Sequence, residues 1–265
     1  MRAIAILATY NEERFIEACL DNLVCQGIEV YLVDNESSDH TVAIAERYMK
    51  RGLIDIEIFP RAGHYSWKSI LGRKEELATS LDADWFMHVD ADEIRLPSAS
   101  SATLLEVIRR TDQAGFNAIN FLEYTFVPTA ESPDHDHPNF QETMCWYYPF
   151  QPIHPHRLNA WKRQPERVDL ASSGGHKVHF KNLRMFPESC PMRHYLFLSV
   201  EHAIRKFIAR TYDQTEVAAG WHRARAGLKA HAIRLQPQSE LRSYISDAKL
   251  DPSRPFKKHP IFERR

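Results

Sequence analysis

Two acids, Asp90 and Asp92, stand one residue apart directly after the apolar run Trp85–Val89, with Glu93 beside them. Carboxylates at i and i+2 leave a strand end on the same side. They can therefore hold one hard divalent cation, directly or through water. Such a cation bridges two phosphates and neutralises the charge on a departing diphosphate. The carboxyl end of a strand is also where ligands sit in open α/β sheets. The other use of the same residues is an acidic loop capping a helix start. Two further polar clusters, Thr9-Tyr10-Asn11-Glu12 and Asp34-Asn35-Glu36-Ser37-Ser38-Asp39-His40-Thr41, open predicted helices with side-chain oxygens and backbone N–H groups. Asn11, Asp39 and Thr41 would be satisfied simply as caps. Asp34 and Glu36 follow an apolar strand, at an edge where a base or ribose could hydrogen-bond. No GxGxxG follows the first strand, which argues against a dinucleotide-binding dehydrogenase.

The elements that must position these groups alternate over the first 95 residues. Ala3–Ala8, Glu29–Val33, Ile54–Phe59 and Trp85–Val89 read as strands. Glu12–Leu23, Thr41–Arg51 and Ser66–Leu81 read as helices with one apolar stripe each. This repetition predicts a parallel sheet with right-handed crossovers. Beyond Pro97 a helix is expected over Ser98–Arg110 and a strand over Ala118–Phe126. A long shaped loop region over 128–175 carries a short strand near Arg157–Lys162, and another short strand is expected at Lys177–Phe180. Helices are expected over Ser199–Tyr212 and, rich in basic residues, over Trp221–Leu235. The end, Asp251–Arg265, reads as extended.

The chain has 265 residues and a formal net charge of −1, which argues against a chain-wide basic surface for nucleic acid. The balance conceals an asymmetry. From Glu201 onward there are 14 lysines and arginines against 7 acids, a local net of +7, and residues 1–200 carry −8. A basic surface of this kind either solvates a helix or approaches phosphates or an anionic membrane face. Arg205, Lys206, Arg210, Arg223, Arg225, Lys229 and Arg234 alternate with Phe207, Ile208, Trp221 and Leu228, as in an interfacial helix. The four cysteines form no CxxC pair and read as free thiols of a reducing compartment. Only about seven apolar residues open the chain, short for a signal peptide, and no segment approaches the ~20 of a membrane span. A cytoplasmic protein is expected, with peripheral contact at the inner membrane face compatible.

The histidines of Asp134-His-Asp-His137 and His154-Pro-His156 lack helical spacing and cysteine partners, so zinc is disfavoured. Trp146, Tyr147, Tyr148, Phe150 and Trp161 form either a stacking floor for a sugar or the packing of a loop on the sheet.

Ala8-Thr9-Tyr10-Asn11-Glu12, Val33-Asp34-Asn35-Glu36-Ser37-Ser38-Asp39-His40-Thr41 and His88-Val89-Asp90-Ala91-Asp92-Glu93, in this order and spacing, resemble glycosyltransferase family 2. The resemblance covers residues 3–96. It implies an α/β GT-A fold, a Rossmann-like arrangement with a mostly parallel central sheet flanked by helices. It further implies a nucleotide-diphosphate-sugar donor of UDP or GDP type, Mn²⁺ or Mg²⁺, and transfer with inversion to a glycan or lipid-linked acceptor, with bacterial surface-glycan assembly as the expected setting. On this resemblance Thr9, Asn11, Glu12, Asp34, Glu36 and Asp90 line the nucleotide pocket, and Lys68 on the third helix is read with them. Asp90 and Asp92 form the metal pair. His194-Tyr195 with Ser199, Glu201 and Lys206 is similar to a later stretch of such transferases. There His194 would be a third metal or diphosphate ligand, and Arg193 and Lys206 would serve the diphosphate. An inverting transferase needs a proton acceptor. The Glu-Asp pair many relatives use is missing between residues 95 and 200. Asp169, His176, Glu142 and Glu123 are the candidates, with Asp169 and His176 preferred.

The expected organisation is a nucleotide-sugar half over 1–96, an acceptor half of the same domain over 97–200 and a basic helical region over 201–265. A sugar-nucleotide nucleotidyltransferase is the competing enzyme class, but it wants a Gly-rich basic loop where Thr-Tyr-Asn-Glu-Glu stands. A non-catalytic nucleotide-binding domain of the same fold is the third reading.

Overall fold

The computed structural model describes residues 1–222 and 225–261. In chain order the elements are β1 (Ala3–Thr9), α1 (Ile16–Cys25), β2 (Glu29–Asp34), α2 (Thr41–Glu46), β3 (Leu53–Ile58), α3 (Trp67–Ser80), β4 (Trp85–Asp90), β5 (Glu93–Arg95), α4 (Leu104–Gln113), β6 (Ala118–Phe126), α5 (Phe140–Thr143), β7 (Trp146–Phe150), β8 (Arg157–Lys162), β9 (Cys190–Tyr195), α6 (Val200–Ala203), α7 (Gln214–Ala218) and β10 (Arg242–Ser243). They belong to two compact units. One comprises residues 1–61, 67–122 and 155–192; the other comprises 62–66, 123–154 and 193–265. The units interleave along the chain, whereas the expected division at 96 and 200 follows it linearly.

In the first unit β3-β2-β1-β4 run parallel, and β8 closes β4 antiparallel. The start of β6 then pairs antiparallel with β8. β1 is buried from Ala3 to Leu7 because sheet neighbours flank both its edges and α3 packs on it. This explains its unbroken apolar run. α1 turns Ile16, Cys19, Leu20 and Leu23 inward, and α3 turns Ile70, Leu71, Lys74, Leu77 and Ala78 inward. The parallel register places Ala8 opposite Asp90 and Thr9 opposite Asp34, so the polar residues that end β1, β2 and β4 share one end of the sheet.

Several helix limits differ from expectation. α1 begins at Ile16, because Asn11 adopts φ +55 and the N–H groups of Glu12 and Glu13 donate to Thr41 and Asp39 side chains instead of a helix. α2 stops at Glu46, ahead of a turn with Lys50 at φ +62 and Gly52 at φ +111. α4 starts only after Thr103, whose hydroxyl accepts from Glu106 N–H. Lys177 and His179 make isolated bridges to Leu158 and Asp169 instead of a strand.

In the second unit the end of β6 pairs antiparallel with β7, and β10 pairs with β7 at Tyr147 and Trp146. Phe256 bridges Phe150 on the same strand. Val127, Tyr148, Phe150, Leu196, Phe197, Ala203, Phe207, Ile233 and Ile261 form the core. α6 is capped by Ser199 and runs into a π-turn over Ile204–Ile208. The basic helix expected over Trp221–Leu235 does not form: the described residues there make turns and one 3₁₀ turn at Ala230–Ala232, and Arg223 lies outside them. Phe207 is in the core, and Ile208 and Leu228 pack against it. They are therefore not the apolar face of an interfacial helix. Among the described residues, no helix is long and apolar enough to cross a membrane.

Candidate functional site

β4 delivers Asp90 to the rim of the first unit with a third of its side chain exposed, while Asp92 and Glu93 turn inward. Beneath them lies Lys74, fully buried, its Nζ 2.8 Å from His88 Nδ1, 3.0 Å from Val89 O and 3.9 Å from Asp90 Oδ1. Burying an ammonium costs several kcal/mol unless it is paired, so its position is set by these acceptors. Burial pushes Lys74 down to about 8, against the pull of Asp90 and Glu93. Burial, then Lys74 and Arg95, hold His88 well below its ordinary range. His88 is thus neutral: Nδ1 accepts from Lys74, and Nε2–H faces Asp90 Oδ1 at 3.9 Å. Burial, then the negative Glu93, push the Asp90 carboxyl up. Arg95, fully buried over the Phe121 ring, donates to Glu93, to His88 O and to Asn159 Oδ1. Arg157 lies 3.7 Å from Glu93.

This donor set fits a hard divalent ion. Asp90 and Asp92 offer carboxylate oxygens, and Asp90 is raised by its burial and by the neighbouring negative Glu93, a repulsion that a bound cation would relieve. Among the described residues, no three His, Cys, Asp or Glu side chains converge into a closed cation cage. Two carboxylates completed by water and phosphate oxygens is the arrangement Mg²⁺-like ions favour.

The ends of β1 and β2 are tied to each other. Thr9 Oγ1 donates to buried Asp34 Oδ1 at 3.0 Å, and Asp34 also accepts from Ser37 N–H at 2.8 Å and Ser37 Oγ at 2.6 Å. Asn11 N–H donates to Ser37 Oγ, and Asn11 Oδ1 accepts from Ser38 N–H at 2.7 Å. Glu36, at φ +58, accepts from Arg61 N–H, and the Arg61 guanidinium lies over the Tyr10 ring at 3.5 Å. Asp39 caps Thr41 as its spacing suggests. Lys68 is exposed on the first turn of α3.

A loop over 169–177 packs beside His88. Trp67 Nε1–H donates to Gly174 O at 2.9 Å, and Asn159 donates to Gly175 O at 2.8 Å. Asp169 accepts from Ser172 N–H at 2.9 Å, capping the 3₁₀ turn Ala171–Ser173. His176 is exposed, stacks on His156 at 4.8 Å, and places Nδ1 3.1 Å from Arg157 NH1. A guanidinium only donates, so Nδ1 accepts and the ring's hydrogen is on Nε2. Thr9, Asn11, Glu12, Asp34, Glu36, Lys68, Asp90, Asp92, Asp169 and His176 all belong to this unit.

Arg193, His194 and Lys206 belong to the second unit. His194 Nδ1 is 2.7 Å from Glu123 Oε1, both side chains buried, and Thr125 donates to the same oxygen at 3.0 Å. Arg193 pairs with Asp247 at 3.4 Å and donates to Tyr195 and Gln141. Lys206 is half-buried in the π-turn. Of the aromatic candidates, Tyr147, Tyr148, Phe150 and Trp161 are core side chains, so they pack the sheet and do not form an open floor. Sequence reasoning missed Lys74, His88, Arg95, Arg157 and Asn159. The one visible signal was a lysine in the apolar stripe of α3.

The sequence profile of Glycosyl transferase family 2 matches residues 4–141, just over half of the chain. Over 110 residues the chain is 28% identical to the lipopolysaccharide core biosynthesis glycosyltransferase LpsC of Rhizobium meliloti, a match covering 41% of this chain and 38% of that protein. Over 89 residues it is 32% identical to an uncharacterized glycosyltransferase of Rickettsia bellii, covering 34% of this chain and 27% of the relative. Solved structures similar to it include the mannosyltransferase PcManGT from Pyrobaculum calidifontis in complex with GDP-Man and Mn²⁺. That match has 20% identity and a TM-score of 0.42, covering 72% of this chain and 56% of that one. S. aureus TarS 1–349 in complex with UDP is similar at 13% identity and a TM-score of 0.45, covering 74% and 61%.

Proposed function

The chain belongs to glycosyl transferase family 2, whose GT-A fold its α/β architecture shares, and on that premise we propose that it moves a sugar from a nucleotide-diphosphate sugar to an acceptor hydroxyl with inversion. The observation that carries the reading is the pair Asp90 and Asp92 at the end of β4, with Lys74 and His88 each 3.9 Å from Asp90 Oδ1. Thr9, Asn11, Glu12, Asp34, Glu36 and Lys68 serve the nucleotide. The hydrogen-bonded Thr9–Asp34–Ser37 cluster is stiff enough to present one edge to a base or ribose. Asp90 and Asp92 would hold Mn²⁺ or Mg²⁺, which when bound neutralises the departing diphosphate. Arg193, His194 and Lys206 are proposed for the diphosphate end from their motif. The Glu123 carboxylate on Nδ1 fixes His194 with its lone pair on Nε2, the tautomer a ligand or hydrogen-bond acceptor requires. Asp169, at the head of the 169–177 loop, is proposed from the sequence as the group that accepts the acceptor's proton. His176, whose Nδ1 already accepts from Arg157, instead offers an N–H to substrate. The similarity to LpsC supports a role in bacterial surface-glycan assembly with a glycan or lipid-linked acceptor.

The test is a thermal-shift panel of UDP-, GDP-, CMP- and dTDP-sugars with and without Mn²⁺, followed by donor hydrolysis. A cognate donor at about 100 times its Kd should add about 2.7 kcal/mol of apparent stability. Asp92→Asn should abolish the Mn²⁺-dependent shift while melting like wild type without ligand. No shift with any donor overturns the reading, and a shift without hydrolysis marks a non-catalytic nucleotide-binding domain.

A further inference from the structure

The segment that covers the outer edge of β7 carries an exposed patch that none of the chemistry above uses. Phe256 N–H donates to Pro149 O at 2.8 Å, and Gln151 N–H donates back to Phe256 O at 3.0 Å. Lys257 Nζ donates to Gln151 O at 2.7 Å, and His259 stacks on Phe150 at 3.8 Å. Residues 149–154 and 252–258 are therefore laced together, and Pro149, Pro152, Pro252 and Pro255 stiffen both stretches. On this rigid base Ile153 is 57% exposed and Phe256 is 37% exposed, its ring contacting Tyr148. Arg254, Lys257 and Lys258 are exposed around Phe256, and no acid occurs from Pro252 to Ile261.

Single exposed apolar side chains are ordinary on a protein surface. Two on laced loops, with three exposed cations in the same short segment as Phe256, match an anionic bilayer, which takes apolar groups at headgroup depth and cations at its phosphates. We propose that this patch docks the protein on anionic lipid, with Ile153 and Phe256 entering the interface and Arg254, Lys257 and Lys258 meeting lipid phosphates. Because the patch shares no residue with the site proposed for the donor, the proposal does not depend on the glycosyltransferase reading.

Co-sedimentation of the full chain with phosphatidylcholine vesicles, with and without about 30% phosphatidylglycerol, tests it. Wild type should bind the anionic vesicles at low salt, lose binding at high salt, and ignore neutral vesicles. Each cation contributes about fivefold, so Arg254→Glu with Lys258→Glu should weaken binding by about 25-fold or more. Ile153→Ser, at a side chain too exposed to carry the fold, should weaken binding to the anionic vesicles at low salt. Lys50→Glu with Arg51→Glu, the same charge change in the first unit, should bind like wild type; equal weakening there would mean net charge alone is read. Wild type left in the supernatant, patch variants binding unchanged, or equal binding to neutral vesicles each overturn the proposal. Melting temperatures near wild type certify the variants as folded.

Discussion

Gly175 shows how tightly single residues are held around the acid pair. Its φ of +82 suits glycine, and a Cβ there would stand 3.0 Å from His88 Nε2, 3.1 Å from Leu71 Cδ2 and 3.3 Å from Trp67 Cζ2. Its neighbour Gly174, at φ +64, has nothing within 4 Å of such a Cβ. The pair separates two costs. Gly174→Ala should lose only the left-handed backbone penalty of about 1–2 kcal/mol, whereas Gly175→Ala should lose that and displace His88, lowering the melting temperature further. Equal melting of the two variants would show that the loop yields to the methyl group. Asp90 and Asp92 were legible as a candidate site because two acids directly follow an apolar strand. Lys74 was not: a lysine on an amphipathic helix reads as solvated. Its burial depends on His88 and Val89, brought over it by a strand that follows in sequence.

Among elements, strands survive translation from sequence better than helix ends. β1, β2 and β4 lie where apolar runs put them, since burial on both faces leaves a nearly unbroken signal. α1 and α4 start late because polar groups ahead of them bond across to other segments, Glu12 and Glu13 N–H to Thr41 and Asp39 and Ser100 Oγ to Glu188, and no periodicity records that. The expected basic helix over Trp221–Leu235 failed for a different reason: its apolar spacing answers to a core already shaped by Phe197 and Phe207. The 3₁₀ turn Ala171–Ser173 gives an element-level test. Burial opposes ionisation of Asp169, but hydrogen bonds from Ser172 and Ala171 outweigh it and hold the carboxyl below its ordinary value. The folded pKa is the lower one, so the stabilisation is complete above about pH 4 and is lost as pH falls through the depressed folded value. The melting-temperature gap between wild type and Asp169→Ala should be constant from pH 7 to about pH 5 and close below. A gap that persists in acid would mean the cap works without its charge.

At the scale of the whole molecule, neither unit is a continuous stretch of chain. The order of motifs in residues 1–96 identified the family, yet β4 in that stretch depends on β8 at its edge, and Glu93 depends on Arg157. Such pairings are invisible to a reading that walks the chain, which is why a linear division was the natural expectation. The first unit also carries its own stopwatch. Cys19 is fully buried with its thiol 3.9 Å from Asp90 O, and burial pushes its ionisation far up; Cys190 is likewise buried, pushed up to about 12, while Cys25 lies in the open. Alkylating reagents attack thiolates, so Cys25 should label at once, and Cys19 only as often as the floor beneath Asp90 opens. A bound donor should slow the Cys19 clock and leave Cys25 alone. Cys19 labelling as fast as Cys25 would mean that the acid pair rests on a floor that never stays shut.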